Sequence, residues 1–206
     1  MIPVLMADDE TLVRTAMATM LDLEADIEVV AHVESGEKLI DLWRARVVAG
    51  EPVAVAVLDL QMTGMDGIDT AIELLTLSPD AGVLVVTSHG RPGYLKRALA
   101  AGVRGFLPKT TPATTLAQVI STVHSGGRYI DPELATEAIS TGDSVLTARE
   151  ADVLEFALEG ASVEEIARRA HLSSGTTRNY LSSAMSKLHA SNRYEAALKA
   201  RELGWI

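Results

Sequence analysis

The chain has 206 residues, 48% of them apolar and 22% charged, with a formal net charge of −10. That length suits one large or two small domains, each able to bury a core. Cysteine is absent, which excludes a disulfide, a thiolate metal site and a cysteine nucleophile. No apolar run approaches the ~20 residues of a membrane helix, and the N-terminus lacks the basic flank of a signal peptide. A cytoplasmic protein with no membrane insertion is the expectation.

The charge is unevenly spread. Residues 1–122 carry nine Lys and Arg against sixteen Asp and Glu, and residues 123–143 carry one against four. Residues 144–206 are neutral, with eight of each sign, yet from Arg168 onward seven bases face two acids. A basic island on an acidic protein points to a polyanion partner for that tail alone.

Along the first half, short apolar runs alternate with helical patterns. "IPVLMA" is followed by an amphipathic stretch through Leu12, Ala16, Met20 and Leu23. "IEVVAHV" precedes a helix through Leu39, Ile40 and Trp43, and "VAVAVLDL" one through Ile68, Ile72 and Leu75. "GVLVVTS" precedes a helix through Leu95, Ala98 and Leu99, and "RGFLPK" one through Leu116, Val119 and Ile120. Runs that are apolar throughout fit parallel strands covered on both faces. Five strand–helix repeats predict a doubly wound α/β sheet. Pro108 cannot donate to a ladder, which places the fifth strand at an edge.

The alternation stops after residue 122. Residues 123–145 read as a linker with at most one short helix. Beyond it the pattern is helical, with helices expected near 148–159, 163–170, 174–188 and 191–203, the last closed by Gly204. Thr147 with Glu150, and Ser162 with Glu165, have the spacing of capping boxes.

In a doubly wound sheet all parallel strands end at one edge, and that edge holds the site. The strand ends supply Asp8 and Asp9, then Asp59, then Thr87 and Ser88, then Lys109. Two carboxylates ~4 Å apart repel by about 4 kcal/mol at an effective dielectric near 20. Such a pocket retains protons or binds a cation. Mg²⁺ takes oxygen ligands, for which Asp9 and Asp59 suit directly and Asp8 through a water. A carboxylate can also be the nucleophile in phosphoryl transfer, with Lys109 and the Thr87 hydroxyl offsetting phosphoryl charge. The plainer reading of Asp8–Asp9 is a solvated turn at a helix N-terminus. Glu10 reads as an ordinary first-turn residue.

"MADDETLVR", "VLDLQMTGMDG", "VVTSHG" and "RGFLPK" resemble, in order and spacing, the receiver domain of two-component response regulators. The resemblance implies a five-stranded sheet in the order 2-1-3-4-5 over residues 1–122. It implies Asp59 as phosphoacceptor, a sensor histidine kinase as donor, and Mg²⁺ held by Asp8, Asp9, Asp59 and the Gln61 carbonyl. Thr87, Ser88 and Lys109 would contact the phosphoryl group, and Phe106 would switch with Thr87. Gln61 and His89 match the positions that tune dephosphorylation. Thr63 stands where the family usually has Pro, and Thr110 follows Lys109 where many members have Pro.

In the second half, "EEIARRAHLSSGTTRNYLSSAMSKL" carries two helices joined by a short turn. Thr177, Leu181, Met185 and Leu188 share one face, and Arg178, Asn179, Ser182 and Ser183 fall on the other. Arg reads guanine and Asn reads adenine in the major groove, each at about 1–3 kcal/mol of discrimination. Lys187 and the amides near Thr176 suit phosphates. An amphipathic helix with a solvated polar face fits the same window. Residues 146–206 resemble the LuxR-type helix–turn–helix domain, in which Arg178, Asn179 and Ser182 match base-facing positions. The two halves together are similar to NarL/FixJ-type response regulators, with "GGRYIDPELA", "SGTTRNYLS" and "ELGW" nearest a DesR-like branch.

The expected function is therefore a transcriptional regulator, not an enzyme, that dimerises on phosphorylation and binds double-stranded DNA. Two readings compete with it: a Mg²⁺-dependent phosphohydrolase on a similar sheet, and a DNA-binding protein with a vestigial receiver.

Overall fold

A computed structural model describes residues 1–88, 92–140, 144–203 and 205–206. His89 and Gly204, both singled out above, lie outside them. The chain divides into two compact units, Met1–Gly90 with Leu95–Leu134, and Arg91–Tyr94 with Ala135–Ile206.

Up to residue 124 the chain alternates strands and helices: β1 (Ile2–Ala7), α1 (Thr11–Leu21), β2 (Ile27–Val33), α2 (Gly36–Ala49), β3 (Val55–Asp59), α3 (Gly67–Leu77), β4 (Gly82–Thr87), α4 (Pro92–Ala100), β5 (Gly105–Pro108) and α5 (Ala113–His124). All strand pairs are parallel. One sheet face buries Val4, Met6, Val55, Val57, Leu84, Val86 and Leu107 against Ala18 and Leu21 of α1 and Leu116, Val119, Ile120 and Val123 of α5. Alternate residues such as Leu5, Ala56, Leu58 and Val85 are equally buried, on the face where α2 and α3 pack together. Every residue of β3 and β4 is buried, which is why those runs are apolar without alternation.

The sheet has a sixth strand. β6 (Tyr129–Ile130) pairs with β5 in the order β2-β1-β3-β4-β5-β6, so the five-stranded expectation with β5 at the edge is corrected. Pro108 is still accommodated by the edge rule. Phe106 O accepts from Asp131 N, so Pro108, two residues on, faces the same side, where β6 has already ended. Two residues flanked by Gly127 and Pro132 are too short to register as a strand by periodicity. The stretch read as linker also contains α6 (Pro132–Ser140).

α1 departs from its expected orientation. Leu12 and Leu23 are more than four-fifths exposed and Met20 is about half exposed, whereas Ala18 and Leu21 are buried. The stripe through Leu12, Ala16 and Met20 faces solvent, while Met17, Ala18 and Leu21 pack on the core.

The second unit contains α7 (Ala148–Leu158), α8 (Val163–Arg169), α9 (Ser174–Lys187) and α10 (Arg193–Glu202). Its core joins Val153, Leu154, Ile166, Leu181, Ala184 and Ala196. The capping box at Thr147 and Glu150 is complete. At Ser162 only the hydroxyl half forms, accepting from Glu165 N.

Candidate functional site

The strand ends meet as the topology requires. Asp8 follows β1, Asp59 ends β3, Thr87 ends β4 and Lys109 follows β5. Lys109 N donates to Thr87 O at 2.7 Å, which ties the last two together through the main chain. Behind Asp59 the chain passes very close to itself: a Cβ on Gly67 would lie 2.1 Å from Asp59 O, so only glycine lets α3 start there.

One ammonium stands among three carboxylates. Lys109 Nζ lies 2.8 Å from Asp8 Oδ2, 2.9 Å from Glu10 Oε1 and 3.0 Å from Asp59 Oδ2. Asp8 and Asp59 are almost completely buried. The Asp59 carboxyl is raised to about 7, with burial pushing it up, Lys109 pulling it down and Asp8 pushing it up again. The Gln61 amide donates to the same carboxylate. Burial also raises Asp8, against the pull of Lys109. For Lys109 burial alone would favour the neutral amine, but the surrounding carboxylates outweigh it and hold the ammonium charged. Asp8 Oδ2 faces the Lys109 ammonium, while Asp8 Oδ1 accepts from Glu10 N at 2.8 Å. Buried carboxylates that outnumber the one ammonium among them are ready cation ligands.

The acids are arranged differently from the sequence expectation. Among the described residues, the carboxylates close enough to share one ion are those of Asp8, Glu10 and Asp59. Glu10, read as an ordinary helix-start residue, is part of the cluster. The Asp9 carboxylate instead accepts from Thr63 N at 2.9 Å and Thr63 Oγ1 at 3.1 Å. Thr87 and Phe106 are buried and Ser88 is exposed.

In the second unit, α8, a short turn and α9 form the helix pair. Arg178, Asn179 and Ser182 are exposed on α9, while Thr177, Leu181 and Leu188 face the core. Arg178 Nη2 lies 3.2 Å from Glu164 Oε1. The Thr176 amide is taken up by the N-cap, donating to Ser173 Oγ at 3.1 Å. Ser183 turns inward, contrary to expectation: its hydroxyl donates to Glu150 Oε1 at 2.6 Å, and Lys187 Nζ donates to Glu150 Oε2 at 2.7 Å. Glu150 is buried, so it joins α7 to α9. Its capping spacing was legible; its reach to a helix more than thirty residues on was not.

A parallel sheet with this acidic, lysine-centred edge, paired with a helix–turn–helix unit, defines a response regulator. Residues 4–121 match the response regulator receiver domain, and residues 144–200 match the bacterial regulatory proteins of the luxR family. The chain belongs to the two-component response regulators with a LuxR-type DNA-binding domain, which are transcriptional regulators rather than enzymes. It is 37% identical, over the whole of both chains, to the transcriptional regulatory protein DesR of Bacillus subtilis (strain 168). Its structure is similar to that of the response regulator ChrA of a heme-sensing two-component system, with a TM-score of 0.56 and 30% identity over all of this chain and 98% of the other. It is also similar to the response regulator RcsB in a DNA complex, with a TM-score of 0.59 and 25% identity over 97% of this chain and 98% of the other. No described helix is long and apolar enough to cross a membrane.

Proposed function

We propose that Asp59 is the phosphoacceptor of a cytoplasmic regulator whose DNA binding is controlled by phosphorylation, with residues 1–122 as receiver, 123–145 as linker and 146–206 as DNA-binding domain. The observation that carries this reading is the convergence of Lys109 on Asp59 and Asp8 at the carboxyl edge of the sheet. In the transfer, an Asp59 oxygen bonds to phosphorus as the bond from phosphorus to the donor, a histidine of a sensor kinase, breaks. Lys109 is already in place to neutralise the phosphoryl oxygens, and the Thr87 hydroxyl and Ser88 add donors.

The residues suit Mg²⁺. Asp8 offers a buried carboxylate close to that of Asp59, and Asp9 and the Gln61 carbonyl complete an oxygen set for a hard cation. The bound ion supplies charge neutralisation at the phosphoryl group. Glu10 is an added acid on Lys109, which the phosphoryl group would displace.

Phosphorylation is relayed through Thr87 and Phe106 to favour a dimer. The exposed apolar face of α1, Leu12, Ala16 and Met20, borders a groove shared with Pro112 and Leu116 of the α5 region, and a second copy of the chain is its occupant. Two DNA-binding units then address half-sites about 10 bp apart or a multiple of that. Arg178, Asn179 and Ser182 read bases. Thr176, through its hydroxyl, and Lys187, which keeps further N–H groups beyond its bond to Glu150, hold phosphates.

The test is acetyl phosphate with Mg²⁺, read by light scattering. Wild type is expected to dimerise, Asp59→Asn to stay monomeric, and Leu12→Glu to accept phosphate without dimerising. Dimerisation of Asp59→Asn under these conditions would overturn the reading.

A further inference from the structure

Between Asp59 and α3 runs a loop, residues 61–66, that two carboxylates clamp from outside. Asp9 Oδ2 accepts from both the amide and the hydroxyl of Thr63, at 2.9 and 3.1 Å. Two residues on, Glu37 Oε1 accepts from Met65 N at 2.9 Å. Gly64 between them has φ +86°, and a Cβ there would come 2.6 Å from Glu37 Oε1. The loop is thus pinned at Thr63 and at Met65, with glycine supplying the left-handed turn between.

The Thr63 clamp sits on the carboxylate the metal needs. Two donors converge on one Asp9 oxygen, and Asp9 is outside the group of acids that share an ion-sized space with Asp59. We infer that Thr63 is a positioning residue that holds Asp9 Oδ2 away from the cation: Mg²⁺ takes that oxygen by displacing its bonds to Thr63, and so releases the loop that follows Asp59. Cation binding and loop position are then one equilibrium, and Thr63 lowers the affinity for Mg²⁺. Proline at this position has neither the N–H nor the hydroxyl, so it cannot make the clamp. The inference rests on the Mg²⁺ site proposed above.

The experiment is calorimetric titration of the full chain with MgCl₂, using wild type, Thr63→Ser, Thr63→Val and Thr63→Pro. Thr63→Ser keeps both donors and should match wild type. Thr63→Val loses the hydroxyl and should bind about threefold more tightly, and Thr63→Pro loses both donors and should bind about tenfold or more tightly, since a hydrogen bond to a charged acceptor is worth more than a neutral one. A second readout is the Thr63 amide in ¹H–¹⁵N spectra, which should shift and exchange faster with water at Mg²⁺ saturation. Equal or weaker Mg²⁺ binding by Thr63→Val, a Thr63→Ser protein that behaves like Thr63→Val, or a wild-type Thr63 amide unmoved by Mg²⁺ would each overturn the latch. No Mg²⁺ binding by any of the four proteins would overturn the metal site itself, and the latch with it. Thr63→Val keeps the test decisive if Thr63→Pro does not fold.

Discussion

Lys109 Nζ stands 3.0 Å from Asp59 Oδ2, with both side chains almost wholly withdrawn from water. The pair is unbalanced, because Asp8 and Glu10 hold the same ammonium. Lysine is what keeps Asp59 from rising further than about 7. Lys109→Gln should therefore move the Asp59 midpoint above that value, as followed by carboxyl ¹³C shifts. Reaction with acetyl phosphate should slow by about 10²-fold, as for loss of one preorganised charge at a transition state. A lowered midpoint would show that the lysine does not stabilise the anion.

The same imbalance makes the metal-free receiver sensitive to pH. Asp59 is raised from an ordinary value of 3.8 to about 7. Below pH ~4 both folded and unfolded chains hold this proton, and the fold carries no penalty. As pH rises from ~4 toward ~7 the unfolded chain ionises first, and stability falls until Asp59 ionises in the fold as well. Denaturant midpoints of metal-free receiver probes should decline across that window, and Mg²⁺ should stabilise more at pH 8 than at pH 5. Equal stabilisation at both values would count against a cation beside Asp59.

Glu150 behaves with the opposite sign. Burial pushes it up, but hydrogen bonds from Lys187, Ser183 and Thr147 outweigh this and hold it below the usual carboxylate range. Its contribution is present above pH ~4.3 and is lost on acidification. Glu150→Ala removes a cap and two bonds to α9 at once, and should cost the second unit about 2–4 kcal/mol. Glu150→Gln should cost less. Urea unfolding followed at α9 amides checks both.

The proposed DNA contacts separate into reading and holding. Arg178→Ala or Asn179→Ala should weaken operator binding by about 1–3 kcal/mol and relax specificity. Lys187→Gln should weaken all sequences alike, reduce the salt slope by about one, and lower the stability of the second unit. Fluorescence anisotropy at several salt concentrations distinguishes the two patterns. A Lys187→Gln protein with an unchanged salt slope would restrict that residue to its bond with Glu150.

The architecture was largely legible because burial is periodic. Strands covered on both faces must be apolar throughout, helices must show a 3.6-residue stripe, and a doubly wound sheet must gather its strand ends at one edge. Those rules alone bring Asp8, Asp59, Thr87 and Lys109 together. β6 escaped because two residues carry no period. α1 carries apolar residues on two sides, Leu12, Ala16 and Met20 outward and Met17, Ala18 and Leu21 on the core, and a hydrophobic pattern does not say which apolar surface meets the core.

The local order of the acids was decided in three dimensions. In the chain Asp8, Asp9 and Glu10 are adjacent and chemically alike. The fold sends Asp8 into the core, gives Asp9 to Thr63 some fifty residues on, and brings Glu10 to Lys109. Each choice depends on where a distant donor stands. The sequence by itself determined which strand ends converge, since that follows from periodicity and topology. Only the tertiary structure decided which carboxylate faces which donor, since hydrogen bonds reach about 3 Å and adjacent side chains at a strand end point in different directions.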